Sequence, residues 1–330
     1  MSVARLAVDQ EPTSREGPVH DEGVKPELWI PARTSQQRRD ALKGIANLHE
    51  YPTEDPLPGG LGHGDMLVAD HDLTAALEAV SRIEGLRVVQ TMSAGVDRIV
   101  DRIPAGITLC DASGVHDVGV AEWIVMAILA SNRRLVPLIH AQQAASWGHS
   151  EAARGDDLEG ARVLILGYGS IGRAVEERLV PFGVTVDRVA RHERDGVHSH
   201  SDLADLVPSA DVLIVLLPLT PATRRFVGTE ILSRMKPGAL LVNASRGAVV
   251  DTDALLAALV DGRIRAALDV TDPEPLPDGH PLWSMPGVLI TPHVAGDVSA
   301  EEDRAWALIA DQVGRLARGE PLRNVVTDGY

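Results

Sequence analysis

Three short segments carry side chains whose types, taken together, could bind an anion and move a proton. They are Asn243-Ala244-Ser245-Arg246-Gly247, Asp269-Val270-Thr271-Asp272-Pro273-Glu274-Pro275 and Thr291-Pro292-His293-Val294-Ala295-Gly296. An arginine presents a planar fork of donors that binds a carboxylate through paired N–H bonds and polarises an adjacent carbonyl. Arg246 is the candidate for that role. A histidine can deliver or accept a proton near neutrality, and such general acid catalysis is typically worth ~10²–10⁴ in rate. His293 is the candidate, with Glu274 placed to bond its second ring nitrogen, fix the tautomer and favour the charged ring. Singly, a loop arginine, a Pro-Glu-Pro turn and a lone histidine are more often structural than reactive. What links them is position, because each lies just beyond an apolar run: Leu240 to Asn243, Ala266 to Val270 and Val288 to Thr291.

Those runs belong to a longer alternation. Strand-like Arg162 to Leu166, Val184 to Val189 and Asp211 to Leu217 precede them, with helical stretches between, including Asp253 to Asp261 ended by Gly262. Six strands alternating with helices predict an α/β fold with a right-handed, doubly wound parallel sheet. In such a sheet the loops beyond the strands' carboxyl ends meet at one crevice. Arg246, Glu274 and His293 would then converge despite their separation in sequence. The first third alternates independently, with strands at Glu27 to Pro31, Met66 to Ala69, Val88 to Met92 and Ile107 to Cys110. Its helices read as Ser35 to Gly44, capped, and Leu73 to Ile83. A last helix runs from Ala300 to Arg318. Residues 1–25 are polar and aperiodic and read as a mobile extension. The glycine cluster Gly59 to Gly64 and the stretch Gly196 to His200 read as loops, and His198 and His200 lack the further ligands a metal site needs.

The turn Gly167-Tyr168-Gly169-Ser170-Ile171-Gly172 stands between the strand Arg162 to Leu166 and a helix. In that context the first glycine permits the tight turn and the second lets backbone approach a pyrophosphate. The third lets helix and strand pack closely, while the helix N-terminus offers N–H groups to the diphosphate. A tight strand–helix turn that binds nothing is the plainer reading, which the context makes the weaker one. A nicotinamide dinucleotide held there would bring a hydride to the crevice, completing a set suited to reducing a ketone. An NAD site usually presents an acid to the ribose at the end of the second strand. Here that position is Ala190, followed by Arg191, so NADP(H) is favoured over NAD(H), with Arg191, His192 and Arg194 clustered on a 2′-phosphate. An earlier strand end would instead make Asp187 the ribose acid and favour NAD.

The chain has 330 residues, 45% apolar but only 3% aromatic, a net charge of −16 and a pI near 5.1. The acidity argues against nucleic acid and anionic membranes as partners. A single cysteine, Cys110, excludes an intramolecular disulfide, and the N-terminus lacks the apolar core of a signal peptide, so a cytoplasmic location is expected. The apolar stretch Val118 to Ala130 is too short to span a bilayer, carries Glu122 and reads as a buried or interface helix.

Taken as a set, these motifs resemble those of the D-isomer-specific 2-hydroxyacid dehydrogenase family, in its glyoxylate/hydroxypyruvate reductase-like form. The set comprises the glycine turn, Leu217-Pro218-Leu219-Thr220-Pro221-Ala222-Thr223, the three strand-end segments and the upstream Ser93-Ala94-Gly95-Val96-Asp97, in order over residues 88–325. The resemblance implies Arg246, Glu274 and His293 as the catalytic triad. It also implies Ser170, Ile171, Pro218, Thr223, Ala244, Ser245, Asp269 and Gly296 as cofactor contacts, and backbone N–H groups near Ala94 and Gly95 as a hold on the substrate carboxylate. A small 2-oxo or 2-hydroxy acid would be the substrate. A doubly wound cofactor domain, residues 113–297, would be inserted in a smaller flavodoxin-like substrate domain formed by residues 1–112 and 298–330. It further implies a homodimer, for which Val118 to Ala130 and the stretch around Trp147 are the candidate contacts. The contrasting reading is a non-catalytic dinucleotide sensor or corepressor-like module on the same fold, which need not keep the three residues together.

Overall fold

The computed structural model describes residues 25–53, 57, 59–70, 73–147 and 154–327. The expected N-terminal extension, Lys25 excepted, lies outside them. The first part runs β1 (Glu27–Pro31), α1 (Gln36–Leu42), β2 (Asn47–Tyr51), β3 (Leu61–His63), β4 (Met66–Ala69), α2 (Leu73–Val80), β5 (Ile83–Glu84), β6 (Val88–Thr91) and β7 (Thr108–Cys110). Five of these strands form a parallel sheet in the order β2-β1-β4-β6-β7, the flavodoxin-like arrangement, while β3 and β5 pair separately. Helices α3 (Asp117–Asn132) and α4 (Leu135–Gln143) follow.

The second part runs β8 (Arg162–Leu166), α5 (Ser170–Leu179), β9 (Thr185–Ala190), β10 (His198–Ser199), α6 (Leu203–Leu206), β11 (Val212–Val215), α7 (Thr229–Arg234), β12 (Leu240–Asn243), α8 (Thr252–Val260), β13 (Arg265–Leu268) and β14 (Val288–Ile290). They build a parallel sheet in the order β10-β9-β8-β11-β12-β13-β14. The order reverses direction between β8 and β11, and a crevice opens at such a switch point beyond the strand ends. The central strands are unbroken runs such as Val212-Leu213-Ile214-Val215, buried throughout, as a sheet covered on both faces requires. On one face α3 and α5 cover it through Ile124, Ile128, Val175 and Leu179; the other packs Leu232, Leu255 and Leu259 from α7 and α8.

The last helix, α9 (Glu301–Ala317), returns to the first sheet. Its Trp306, Ile309 and Val313 share a core with Leu28, Ile30, Met66 and Val88. Buried Gln312 donates to Gln90 at 2.9 Å and ties helix to sheet. Cys110 lies in the same core, where burial pushes its thiol up to about 12.

Several elements differ from expectation. β2 is an additional edge strand whose sequence, Asn47-Leu48-His49-Glu50-Tyr51, is mostly polar, so no apolar run announces it. The glycine cluster contains β3, and β10 falls within the stretch expected to be loop, giving seven strands rather than six. Backbone pairing with a neighbour makes both, without local propensity. Ser35 sits at the start of α1 but makes no side-chain cap. Among the described residues no single helix is long and apolar enough to cross a membrane.

Candidate functional site

The glycine turn follows β8. Gly167 has φ +106°, and a Cβ there would lie 2.6 Å from the Leu216 backbone, so only glycine fits. Its N–H and that of Tyr168 donate to the Val189 carbonyl at 2.9 and 3.0 Å, fastening the turn to β9. Gly169 is the N-cap of α5 and has no side chain with which to cap it. A Cβ on Gly169 would meet nothing within 4 Å, so the outer side of the turn is open. At Gly172 it would press on Tyr168 and Gly167, the close helix–strand approach that position requires. Ile171 packs against the core, and Ser170 Oγ donates to Asp117 at the head of α3, at 3.1 Å. Tyr168 bonds Glu176 through its hydroxyl and lies under the Arg188 guanidinium, 5.7 Å from its ring centre. The Arg188 hydrogen bond holds Glu176 below the usual carboxylate range, while burial raises Tyr168.

The three strand-end segments form one connected strip. Buried Asn243 accepts from the Ser245 N–H and hydroxyl at 3.1 and 2.8 Å and shapes the arginine loop. A Cβ on Gly247 would come within 1.9 Å of the Thr271 carbonyl oxygen, so this loop is seated on the next. Asp269, also buried, accepts from Thr291 Oγ1 at 2.6 Å and from the Val294 and Ala295 N–H groups, both at 2.9 Å. With the His293 N–H donating to the Asp269 carbonyl at 2.7 Å, these bonds hold the histidine backbone at φ +56°. Its Nδ1 meets Glu274 Oε1 at 2.6 Å, leaving Nε2 as the ring nitrogen available to a substrate. The histidine side chain is 46% exposed, so the pair is open to solvent and worth little as a stabilising contact.

Arg246 reaches away from this strip toward the first sheet. Its Nε donates to Asp97 Oδ1 at 2.9 Å and its Nη1 to the Ser245 carbonyl at 2.9 Å. Its Nη2 lies where a Cβ on Gly95 would be, 1.5 Å away. The fork expected for a substrate is therefore reduced to the two Nη groups, because Nε is committed. The Gly95 N–H is directed to Ser93 Oγ at 3.3 Å, a long intramolecular bond, where an outward-facing donor was expected beside Ala94.

Some predicted cofactor contacts have internal duties here. Thr223 is buried, and its hydroxyl donates to the Pro218 carbonyl at 2.6 Å and accepts from the Thr220 N–H at 2.8 Å, closing its own turn. The Asp269 carboxylate is largely consumed by the histidine loop. Ala244 packs against the core below the arginine loop, and Gly296 faces the His116 ring. β9 runs to Ala190, so the strand end lies where the reading for Ala190-Arg191 needs it. Asp187 lies mid-strand, in register with Leu164, and its carboxylate pairs with Arg162 at 2.8 Å, so it falls short of the strand end. Arg191 follows Ala190 on the surface, and Arg194 donates to the Tyr168 carbonyl at 2.7 Å, bringing it against the glycine turn. His198 pairs with Asp202 at 3.6 Å, while His200 packs on Phe226. Burial, aided by Arg191 and His192, holds His200 below the usual imidazole range.

Sequence reading missed the Asp97 partnership, although Asp97 lies inside the Ser93–Asp97 motif. It also missed Asp117 and the Glu176–Arg188 support beneath Tyr168. The Asp97 and Asp117 pairings join residues 149 and 53 apart in sequence, while the Glu176–Arg188 pairing spans only 12 residues but depends on how α5 packs beside β9.

The sequence profile described as "D-isomer specific 2-hydroxyacid dehydrogenase, NAD binding domain" matches residues 125–295. The human glyoxylate reductase/hydroxypyruvate reductase is 32% identical over 316 residues, covering 89% of this chain and 96% of that protein. The D-3-phosphoglycerate dehydrogenase of Methanocaldococcus jannaschii is 30% identical over 309 residues; the match covers 89% of this chain but only 58% of that relative's length. A D-isomer specific 2-hydroxyacid dehydrogenase from Xanthobacter autotrophicus Py2, solved in complex with NADPH and MES, superposes with a TM-score of 0.79 at 28% identity, covering 92% of this chain and 98% of that one.

Proposed function

Because this chain belongs to the D-isomer specific 2-hydroxyacid dehydrogenase family, whose members are nicotinamide-dependent oxidoreductases acting on CH–OH donors, we propose that it interconverts a small 2-oxo acid and the corresponding D-2-hydroxy acid. His293 acts as the acid/base, Glu274 orients it and Arg246 binds the substrate. The observation that carries this reading is the 2.6 Å bond between His293 Nδ1 and Glu274, which leaves Nε2 for a substrate on the strip whose first loop carries Arg246. Bound NAD(P)H would supply the hydride. As the substrate carbonyl oxygen gathers charge, His293 Nε2 delivers the proton, and Arg246 stabilises the carboxylate and the polarised carbonyl through its Nη groups.

The residues present fit a dinucleotide. The open outer face of Gly169, the uncapped start of α5 and the clash that bars any side chain at Gly167 make a cradle for a diphosphate. In this reading Ser170, Ile171, Pro218, Thr223, Ala244, Ser245, Asp269 and Gly296 supply the further cofactor contacts. Ala190 at the strand end, Arg191 after it and Arg194 on the turn support NADPH as the preferred form. The neighbour solved with NADPH is in keeping with that preference.

Two further readings are part of the proposal. Residues 113–297 serve as a cofactor domain and residues 1–112 with 298–330 as a substrate domain, in line with the separate cores and the return of α9. A homodimer is supported by the apolar surface of α3 and α4, where Met126, Leu135, Leu138 and Ile139 are each at least 40% exposed, and by exposed Trp147 shortly after α4 in sequence. The test of function is NADPH and NADH oxidation with glyoxylate, hydroxypyruvate and bulkier 2-oxo acids. Oxidation with at least one acid, faster with NADPH, is expected; tight cofactor binding without turnover on any acid would favour a sensor.

A further inference from the structure

Resting on the substrate-binding role given to Arg246, we propose that Asp97 is a positioning residue that sets the orientation of the Arg246 guanidinium. A free arginine side chain has many rotamers, and ordering it costs conformational entropy. Here three contacts fix it: Nε on Asp97 Oδ1 at 2.9 Å, Nη1 on the Ser245 carbonyl at 2.9 Å, and Nη2 against Gly95. Asp97 and Gly95 follow β6 of the first sheet, whereas Ser245 follows β12 of the second. The guanidinium is therefore oriented only where the two sheets' loops meet.

The pair is sheltered, with Asp97 14% and Arg246 27% exposed. At that burial the attraction is stronger than in a surface ion pair. Asp97 also occupies the Nε side of the guanidinium, so a substrate carboxylate is admitted only to the two Nη groups. That selects one approach direction among those a free guanidinium allows. The arrangement has an electrostatic corollary. Asp97 partly offsets the charge of Arg246, so removing it disorders the arginine while leaving its full charge to attract an anion. Turnover should suffer more than substrate affinity.

The experiment is steady-state kinetics with NADPH and the best 2-oxo acid on Asp97→Ala, Asp97→Asn and Arg246→Lys, and on Asp97→Ala combined with Arg246→Lys. NADPH affinity and thermal unfolding are followed alongside. A displacement of about an ångström at a reacting group costs on the order of a hundredfold. A loss of that order in kcat is expected for Asp97→Ala, with a smaller change in KM and unchanged NADPH affinity. Asp97→Asn, which keeps an acceptor for Nε, should recover most of it. In the Arg246→Lys background Asp97→Ala should cost little further, because the fork it orients is gone. Equal losses in both backgrounds, or unchanged kcat in folded Asp97→Ala, would overturn the proposal alone. A wild-type protein that turns over no 2-oxo acid would overturn the reading beneath it as well.

Discussion

Gly95→Ala is a minimal perturbation of the substrate side of the crevice. The added Cβ would lie 1.5 Å from Arg246 Nη2 and 2.6 Å from its Cζ. Ordinary carbon contacts lie at about 3.5–4 Å, so the guanidinium must retreat by about 2 Å. The Nε bond to Asp97, now 2.9 Å, cannot survive such a movement. A misplacement of this size in a substrate-binding group costs on the order of a hundredfold in rate. The backbone needs no rearrangement, because Gly95 is not in the left-handed region and the clashing atoms end a flexible side chain. Stability should therefore change little. The assay is kcat/KM for 2-oxo acid reduction, with NADPH affinity by fluorescence titration and thermal unfolding on the same preparation. A folded Gly95→Ala enzyme with unchanged kcat/KM would refute the placement of Arg246 at the substrate.

Arg191→Ala should weaken NADPH and leave NADH nearly as it was in paired fluorescence titrations; equal losses would remove Arg191 from the 2′-phosphate. Gly167→Ala combines φ +106° with a Cβ 2.6 Å from the Leu216 backbone, so it should destabilise by at least about 1–3 kcal/mol and lower the unfolding temperature. An unchanged melt would contradict the turn geometry. Cys110 should resist iodoacetamide in the native protein at pH 9.0, the ordinary thiol value, because burial pushes it up to about 12. A raised folded value means the thiol's contribution to stability is complete below pH 9.0 and is lost as pH climbs toward about 12, so alkylation should appear only with unfolding. Rapid native alkylation would show that the α9 core opens.

What could be read from the chain, and what could not, follows from the range of each interaction. The strands β8, β11 and β12 were legible because a doubly covered sheet needs unbroken apolar runs, and Gly167, Gly169 and Gly172 because their spacing encodes a turn. Edge strand β2 and short β10 were not, since pairing rather than composition makes them strands. Arg246, Glu274 and His293 could be singled out from loop position, and the Glu274–His293 bond joins two of them. The direction of Arg246, toward Asp97 and Gly95, depended on how two sheets meet, which no local pattern records. Thr223 and Asp269 show the same limit: the resemblance implied them as cofactor contacts, and the hydrogen bonds that also tie them to their own and neighbouring loops follow from the tertiary arrangement.

The central claim is that His293 moves the substrate proton. Its most direct measurement compares kcat of wild type and His293→Ala for NADPH-dependent reduction of the best 2-oxo acid, with NADPH affinity determined in parallel. The geometry predicts a fall of ~10²–10⁴ in kcat with cofactor affinity preserved. Unchanged turnover in His293→Ala would contradict it.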